Sequence, residues 1–302
     1  MPLNKTEIYL DNSATTPVLA EIADKIHWVM TQEYGNPSSL HRKGLKAENL
    51  VDEARKRVSQ SLGVGDKEVF FTSGGTESNN LALIGAAMSR RRQGSHIICS
   101  AIEHPSVLEV VKHLGQTGFT VDYCPVDAAG VVNPQVLAEL VRDDTILVSI
   151  MLVNNEIGSI QPVSDLTAAC KSKNPNLVFH SDCVQGVGKI PVRPRQLGVD
   201  LLSVSAHKFH GPKGTGALYI KPGTNLKGLM LGGGQELGLR SGTENVPGIV
   251  GFGLAIKNSL QNLDANAHKM KSLKEYFISL LDSYSMPYRI NGRGWPKPPP
   301  IF

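Results

Sequence analysis

The sequence predicts an α/β protein built on a mainly parallel, seven-stranded sheet between layers of helices. Three observations carry this. Seven short runs of β-branched or aromatic residues recur between residues 68 and 220. Helix-like segments separate most of the earlier runs, and strands alternating with helices favour a parallel sheet covered on both faces. The 302 residues, 41% hydrophobic and 19% charged, suit one large soluble unit and a fraction of another.

Taken in order, residues 1–16 give a short strand-like piece, Ile8-Tyr9-Leu10, and a polar turn. Pro17 is placed to start a helix that runs to about Gln32 and ends at the loop Gly35–Ser39. From His41 to Leu62, the apolar positions Leu45, Val51, Ala54, Val58 and Leu62 recur at helical spacing with one longer gap. The strand runs are Glu68–Thr72, His96–Ser100, Phe119–Cys124, Thr145–Leu152, Leu177–Ser181, Leu201–Ser205 and Ala217–Ile220. Helical patterns cover Glu77–Arg92, Pro105–Leu114, Pro134–Arg142 and Ser164–Lys171. Beyond Pro247 the strands stop, and Gly248–Leu263 and Ala265–Leu281 read as two helices or one interrupted helix. The remainder, through Met286–Asn291 to a proline-rich end at Phe302, reads equally as the start of a second, incomplete domain or as a frayed tail. No internal repeat or low-complexity segment is present.

Composition excludes several function classes. The net charge is only +4, and the one tight basic run, Arg90-Arg91-Arg92, closes a predicted helix, where cations suit the dipole; nucleic-acid binding is not expected. Cys99, Cys124, Cys170 and Cys183 lack metal-type spacing. Without a secretory signal, a reducing compartment is the default and a cytoplasmic location is expected. No apolar stretch approaches the roughly 20 residues of a membrane span.

Ligands of open α/β sheets bind beyond the carboxyl ends of the strands. After Phe71 comes Thr72–Asn80, whose Gly74 and Gly75 lead into a helix; this is a phosphate cradle or a plain glycine-rich turn. Glu103-His104-Pro105 follows the second strand, where a lone histidine is usually a cap. Asn154 and Asn155 follow the fourth, an amide pair able to bond a ring substituent. Asp182, with Gln185 three residues on, follows the fifth and doubles as a helix-cap candidate. Ser205, His207 and Lys208 follow the sixth. A phosphate cradle, a histidine, an amide, an acid and a lysine form the inventory that holds pyridoxal phosphate: a lysine for its aldehyde, an acid for the pyridine nitrogen, a cup for the phosphate.

The segments DNSATTP (11–17), GNPSSLH (35–41), TSGGTESNN (72–80), EHPSV (103–107), NNEIG (154–158), HSDCVQGVGK (180–189), SAHKFHGPKGTGALY (205–219) and GGGQE…RSGTENVPGIVG (232–251) resemble the NifS/IscS-like cysteine desulfurases. These are class-V aminotransferases of the fold-type I pyridoxal phosphate group, and the resemblance covers residues 7–291. It implies a large cofactor-binding domain over 17–250, an N-terminal segment 1–16 associated with a small α+β domain, and the truncated start of that domain over 251–302. It implies that Lys208 binds the cofactor aldehyde and later moves protons at the substrate Cα. Asp182 would pair with the ring nitrogen, and His104 would stack on the ring and assist proton transfer. Gln185 and Asn155 would bond the ring oxygen and its surroundings. Gly75, Thr76, Ser205 and His207 would hold the phosphate, and Thr243 would reach the phosphate of a second copy in a homodimer.

The implied activity takes sulfur from L-cysteine, leaving L-alanine and an enzyme-bound persulfide for an iron–sulfur scaffold or another sulfur acceptor. Selenocysteine lyases share most of these motifs and remain an alternative. The chain is shorter than the family pattern: the missing part carries the loop cysteine that attacks the substrate sulfur and an arginine for the substrate carboxylate. A catalytically incomplete subunit that only binds the cofactor is therefore a further alternative. None of the four cysteines occupies the catalytic position, though Cys183 adjoins Asp182. A metal site of His104, His180, His207 and His210 is a last reading, disfavoured because the glycine and proline after His210 argue against a helix there; no metal is expected.

Overall fold

Alternation along each short strand decides which face of the sheet its side chains reach. In the computed structural model, which describes residues 8–284 and 287–292, the sheet has seven strands. The first half of the chain forms α1 (Ala20–Gln32), α2 (Arg42–Leu62), β1 (Val69–Thr72), α3 (Gly75–Arg90), β2 (His96–Ser100), α4 (Pro105–Gln116), β3 (Thr120–Cys124) and α5 (Pro134–Leu140). Then come β4 (Thr145–Ser149), α6 (Val163–Lys173), β5 (Val178–Asp182), α7 (Pro194–Leu197), β6 (Leu201–Ser205), β7 (Gly216–Ile220), α8 (Val246–Gln261) and α9 (Leu263–Ser283).

Successive residues in a strand point to opposite faces. Phe70, Ile97, Leu147, Val178 and Leu201 join one buried cluster, with Leu81, Leu83 and Ala86 of α3 and Val107, Val111 and Leu114 of α4. Their neighbours Phe71, Ile98, Val148, Phe179 and Leu202 join the other, under α1, α2, α5, α6 and α8. Both faces are therefore dry over every strand but the edge strand β3, which is partly exposed, and this is why the buried strands read as largely apolar runs.

The strand order is β1-β7-β6-β5-β4-β2-β3. Pairing is parallel throughout β3, β2, β4, β5 and β6. β7 runs antiparallel to both β6 and β1. Its reversal follows from chain length: residues 206–215 are too few for the crossover of about a dozen residues or more that a parallel neighbour needs. Because β1 is antiparallel to β7, it points the same way as the other five. The ends of β1, β2, β4, β5 and β6 thus share one edge of the sheet.

Three expectations shift. Ile8-Tyr9-Leu10 is not a strand; it lies exposed at the surface and pairs with no strand among the described residues. Pro17 does not open α1, which begins at Ala20 after Leu19, because residues 16–19 are spent on contacts to the Lys208 loop: the Thr16 N–H donates to the His207 carbonyl and that of Leu19 to His210. In α2, Leu45 is exposed and Ala47 takes its place, so that Ala47, Val51, Ala54, Val58 and Leu62 make an unbroken buried stripe.

The boundary expected at residues 250/251 falls inside α8, whose Phe252, Ala255 and Ile256 belong to the main core. Phe252 meets Phe71 edge-on at 6.1 Å and Phe209 at 5.7 Å. Only Ala267 of α9 is buried. The proline-rich run 293–302 lies outside the described residues.

Candidate active site

Lys208 ends a single 3-10 turn directly after β6, where the chain must reverse into β7. The next residue, Phe209, is buried against Phe252 and anchors the turn. The lysine Nζ donates to the carbonyls of Ser13 at 2.6 Å and Ala14 at 2.8 Å. Partial burial lowers its pKa from the ordinary lysine value, against the pull of Asp182 and Asp11. A free amine is the form that attacks a carbonyl.

Asp182 closes β5 on the neighbouring strand and is buried. Among the described residues its hydrogen-bond partners are the Val184 N–H at 2.9 Å and the Asn79 amide at 2.8 Å. Burial raises its pKa, opposed by those two bonds and by His104 and Lys208. A buried acid without a cation at bonding distance is ready for a protonated nitrogen.

At the end of β1, α3 starts at Gly75 with no side-chain cap from Gly74. Its first amides are open to an anion. Gly216 comes so close that a Cβ there would lie 2.7 Å from Gly74 backbone atoms and 2.6 Å from the Val204 carbonyl. The cradle therefore depends on bare backbone at this position.

Gly75, Thr76, His104, Asn155, Asp182, Gln185, Ser205, His207 and Lys208 all line one cleft of about 600 Å³, a size usual for small-molecule sites. Thr243 is exposed and does not line it within this chain. Of the amide pair only Asn155 faces the cleft, because the Asn154 oxygen accepts from the N–H groups of Glu156 and Ile157 and holds their turn. His207 bonds Thr15 Oγ1 at 3.1 Å, and burial, helped by Lys208, pushes its pKa down to about 4. His180 is elsewhere: it lies within the sheet, between Ser149 Oγ at 2.8 Å and Ser203 Oγ at 3.0 Å. It cannot group with His104, His207 and His210.

Sequence reasoning missed Asn79, which anchors Asp182, and Lys189, which donates to the Gln185 side-chain amide oxygen. A signal existed for the first: Asn79 is three and four residues from Thr76 and Gly75, hence on their helix face. Gln185 in turn donates to the Ser13 carbonyl at 2.8 Å. Lys189 has its pKa lowered to about 8 by burial and by Lys208. Gly188, at φ +79°, lets this turn lie against Phe209; a Cβ there would come within 2.8 Å of the Phe209 Cβ.

Two buried groups set the pH range of the fold. Glu103 accepts from Ser100 Oγ and the Met151 N–H, and burial raises its pKa from 4.5 to about 8. Its stabilising proton is held below 4.5 in both states and lost as pH rises through 8, so stability falls between pH 6.5 and 8. Burial lowers His180 from 6.5 to about 3; the unfolded chain takes up that proton first, and stability falls as pH drops below 4.5. Between 4.5 and 6.5 the two oppose each other. His207, lowered to about 4, adds to the His180 effect, so urea midpoints should be highest near pH 6.5, and Glu103→Gln should flatten the limb above it. A midpoint that peaks at pH 8 would contradict the Glu103 assignment, and one that stays level down to pH 3 would contradict that of His180.

Residues 8–293 match the family model described as Aminotransferase class-V. The chain belongs to the class-V aminotransferases. A cysteine desulfurase IscS of Dictyoglomus turgidum is 45% identical over 288 residues, which are 95% of this chain and 73% of that protein. A solved NifS-like protein superposes with a TM-score of 0.90 at 46% identity, covering 92% of this chain and 76% of its own. Another solved structure, SspA in complex with cysteine, gives 0.80 at 38% identity, covering 83% and 72%.

Class-V aminotransferases work with pyridoxal 5′-phosphate, and this cleft fits it. Asp182 is a buried acid with room for a ring nitrogen, the α3 start is an open anion cup, and among the described residues Lys208 is an amine held by two carbonyls.

Proposed function

We propose that the chain is a pyridoxal phosphate-dependent cysteine desulfurase that takes sulfur from L-cysteine. The observation that carries this is the convergence of Lys208, Asp182 and the Gly75–Thr76 helix start, from three strands, on one cleft. Lys208 would hold the aldehyde carbon, Asp182 the ring nitrogen, and Gly75, Thr76, Ser205 and His207 the phosphate. His104 would cover the ring, and Gln185 and Asn155 would donate to its oxygen side. The cofactor supplies an electron-withdrawing ring that lowers the cost of removing the substrate Cα proton. Lys208 Nζ is the base placed to take that proton and return it. Sulfur then passes to a thiolate as persulfide and L-alanine is left; the acceptor is an iron–sulfur scaffold or a related sulfur carrier.

A second reading has a specific observation behind it. Cys99, Cys124, Cys170 and Cys183 are all buried, and none lines the cleft. Cys183 bonds Ser181 Oγ, and burial raises its pKa far above the ordinary thiol value. A thiolate nucleophile must be exposed and ionised, so these four cannot accept the sulfur. On that reading the chain binds the cofactor and moves the Cα proton but does not complete desulfuration.

Two copies would pair, with the exposed Thr243 reaching the phosphate in the partner. The smaller C-terminal unit would begin within 251–302, with 17–250 forming the cofactor-binding unit and 1–16 the segment associated with the smaller one. No helix among the described residues is long and apolar enough to cross a membrane, and we place the protein in the cytoplasm.

One preparation tests these readings. The chain is mixed with pyridoxal phosphate, and a visible absorption band is sought that borohydride bleaches while fixing the cofactor on Lys208. Exchange of the L-cysteine Cα proton in heavy water and alanine release are then measured. Exchange with alanine supports the desulfurase, and exchange without alanine supports the incomplete subunit. No band and no exchange would sink both. A chain that turns over selenocysteine and leaves cysteine untouched would be a lyase.

A further inference from the structure

His104 is the residue before α4, and Ser106 is in its first turn. The Ser106 backbone N–H donates to His104 Nδ1 at 3.1 Å, and Ser106 Oγ lies 2.8 Å from the same nitrogen. On the other side Ser106 Oγ is 2.8 Å from Asn79 Nδ2, which is also 2.8 Å from Asp182 Oδ2. Three elements, α3, α4 and β5, meet in this row of atoms.

Counting hydrogens fixes its direction. An amide NH₂ has two hydrogens and accepts nothing. Asn79 spends one on Asp182 and one on Ser106, so the Ser106 oxygen already receives a hydrogen from that side. That hydroxyl oxygen could accept a second bond, so the Ser106 backbone N–H decides whether the hydroxyl's own hydrogen goes to His104 Nδ1. The backbone N–H of Ser106 can also only donate. Two donors thus converge on Nδ1, which in the neutral ring must be the bare nitrogen. Asn79 cannot turn over to reverse the order, because its Oδ1 would then face the Asp182 carboxylate. In the present orientation Oδ1 is buried without a partner, so Asp182 and Ser106 are what hold the amide.

We propose that Ser106 and Asn79 are positioning residues that keep the proton of the neutral His104 ring on Nε2 and tie that tautomer to Asp182. Capping of α4 alone would need only the backbone contact; the hydroxyl and the buried amide add a direction. The nitrogen left for the cleft is then a proton donor, while the acid expected to hold the ring nitrogen orients the imidazole expected to cover the ring. Which ring nitrogen carries the proton is set by the partner of the other one. The functional meaning rests on the proposed function, but the hydrogen-bond direction does not.

The test is nitrogen NMR on the full chain labelled with ¹⁵N-histidine, recorded before and after saturation with pyridoxal phosphate, at a pH where the His104 ring is neutral. The wild-type His104 should show the Nε2–H pattern with no detectable Nδ1–H form. Ser106→Ala removes one neutral donor and should lower the tautomer ratio about five-fold, bringing the Nδ1–H form into view. Ser106→Thr keeps the hydroxyl and should restore the wild-type pattern. An Nδ1–H tautomer in the wild type, or a Ser106→Ala spectrum identical to it in a folded chain, overturns the proposal. Failure to take up the cofactor strikes the function proposed above and leaves the tautomer result standing.

Discussion

A Lys208→Ala chain should gain no mass from borohydride in the presence of pyridoxal phosphate, and its Cα-proton exchange from L-cysteine should fall by about 10³-fold. Two losses combine. The amine is the group expected to bond the aldehyde, and it is the base expected at the substrate Cα. Neither can pass to a neighbour. Lys189 points its Nζ at Gln185 and does not line the cleft, and His207 is tied to Thr15. Folding should survive, since the Lys208 head group bonds only the Ser13 and Ala14 carbonyls at the cleft wall. Proton exchange is the informative readout because it needs no sulfur-accepting thiol. An alanine variant that exchanges at the wild-type rate would remove Lys208 from the chemistry.

Asp182→Asn should lower the same exchange by about 10²- to 10³-fold, the usual effect of removing one preorganised electrostatic group. The substitution keeps the shape and removes the charge. Burial already makes ionisation of this carboxyl costly, and the Asn79 amide and Val184 N–H offset part of that cost. A neutral amide there could not hold a proton on a ring nitrogen. The cofactor should still bind, through its phosphate and Lys208, so the borohydride label should persist. Persistence of the label with loss of exchange separates this role from that of Lys208. Equal exchange in the variant and the wild type would mean that Asp182 is a structural acid only.

The fold was legible wherever burial was two-sided. All seven strand runs became strands: six are buried throughout, where a short apolar stretch has few other places to go, and β3 forms the partly exposed edge. The reversed direction of β7 was equally open to reading from the short span 206–215, yet pattern alone does not state direction. Pro17 misled because it looked only at its own neighbours, while residues 16–19 were claimed by His207 and His210. The site divides in the same way. Lys208, Asp182 and His104 follow strands and could be found from that position. Asn79 and Ser106 act through side chains that meet only after α3, α4 and β5 pack, and no local spacing contains that meeting, whereas Lys189 bonds Gln185 only four positions away. Thr243 lies outside the cleft of a single chain, so its expected role depends on a second copy.

The carbonyls of Ser13 and Ala14 come to Lys208 from more than 190 positions away in the chain. During synthesis these carbonyls cannot meet Lys208 until β6 and its turn have left the ribosome, although Gln185 can reach that of Ser13 earlier. This part of the cleft wall is then completed late, by a segment made far earlier. A ligand that fills the cleft also props this late closure and stabilises it by mass action. Protease sensitivity of residues 8–16 would therefore report occupancy of the cleft.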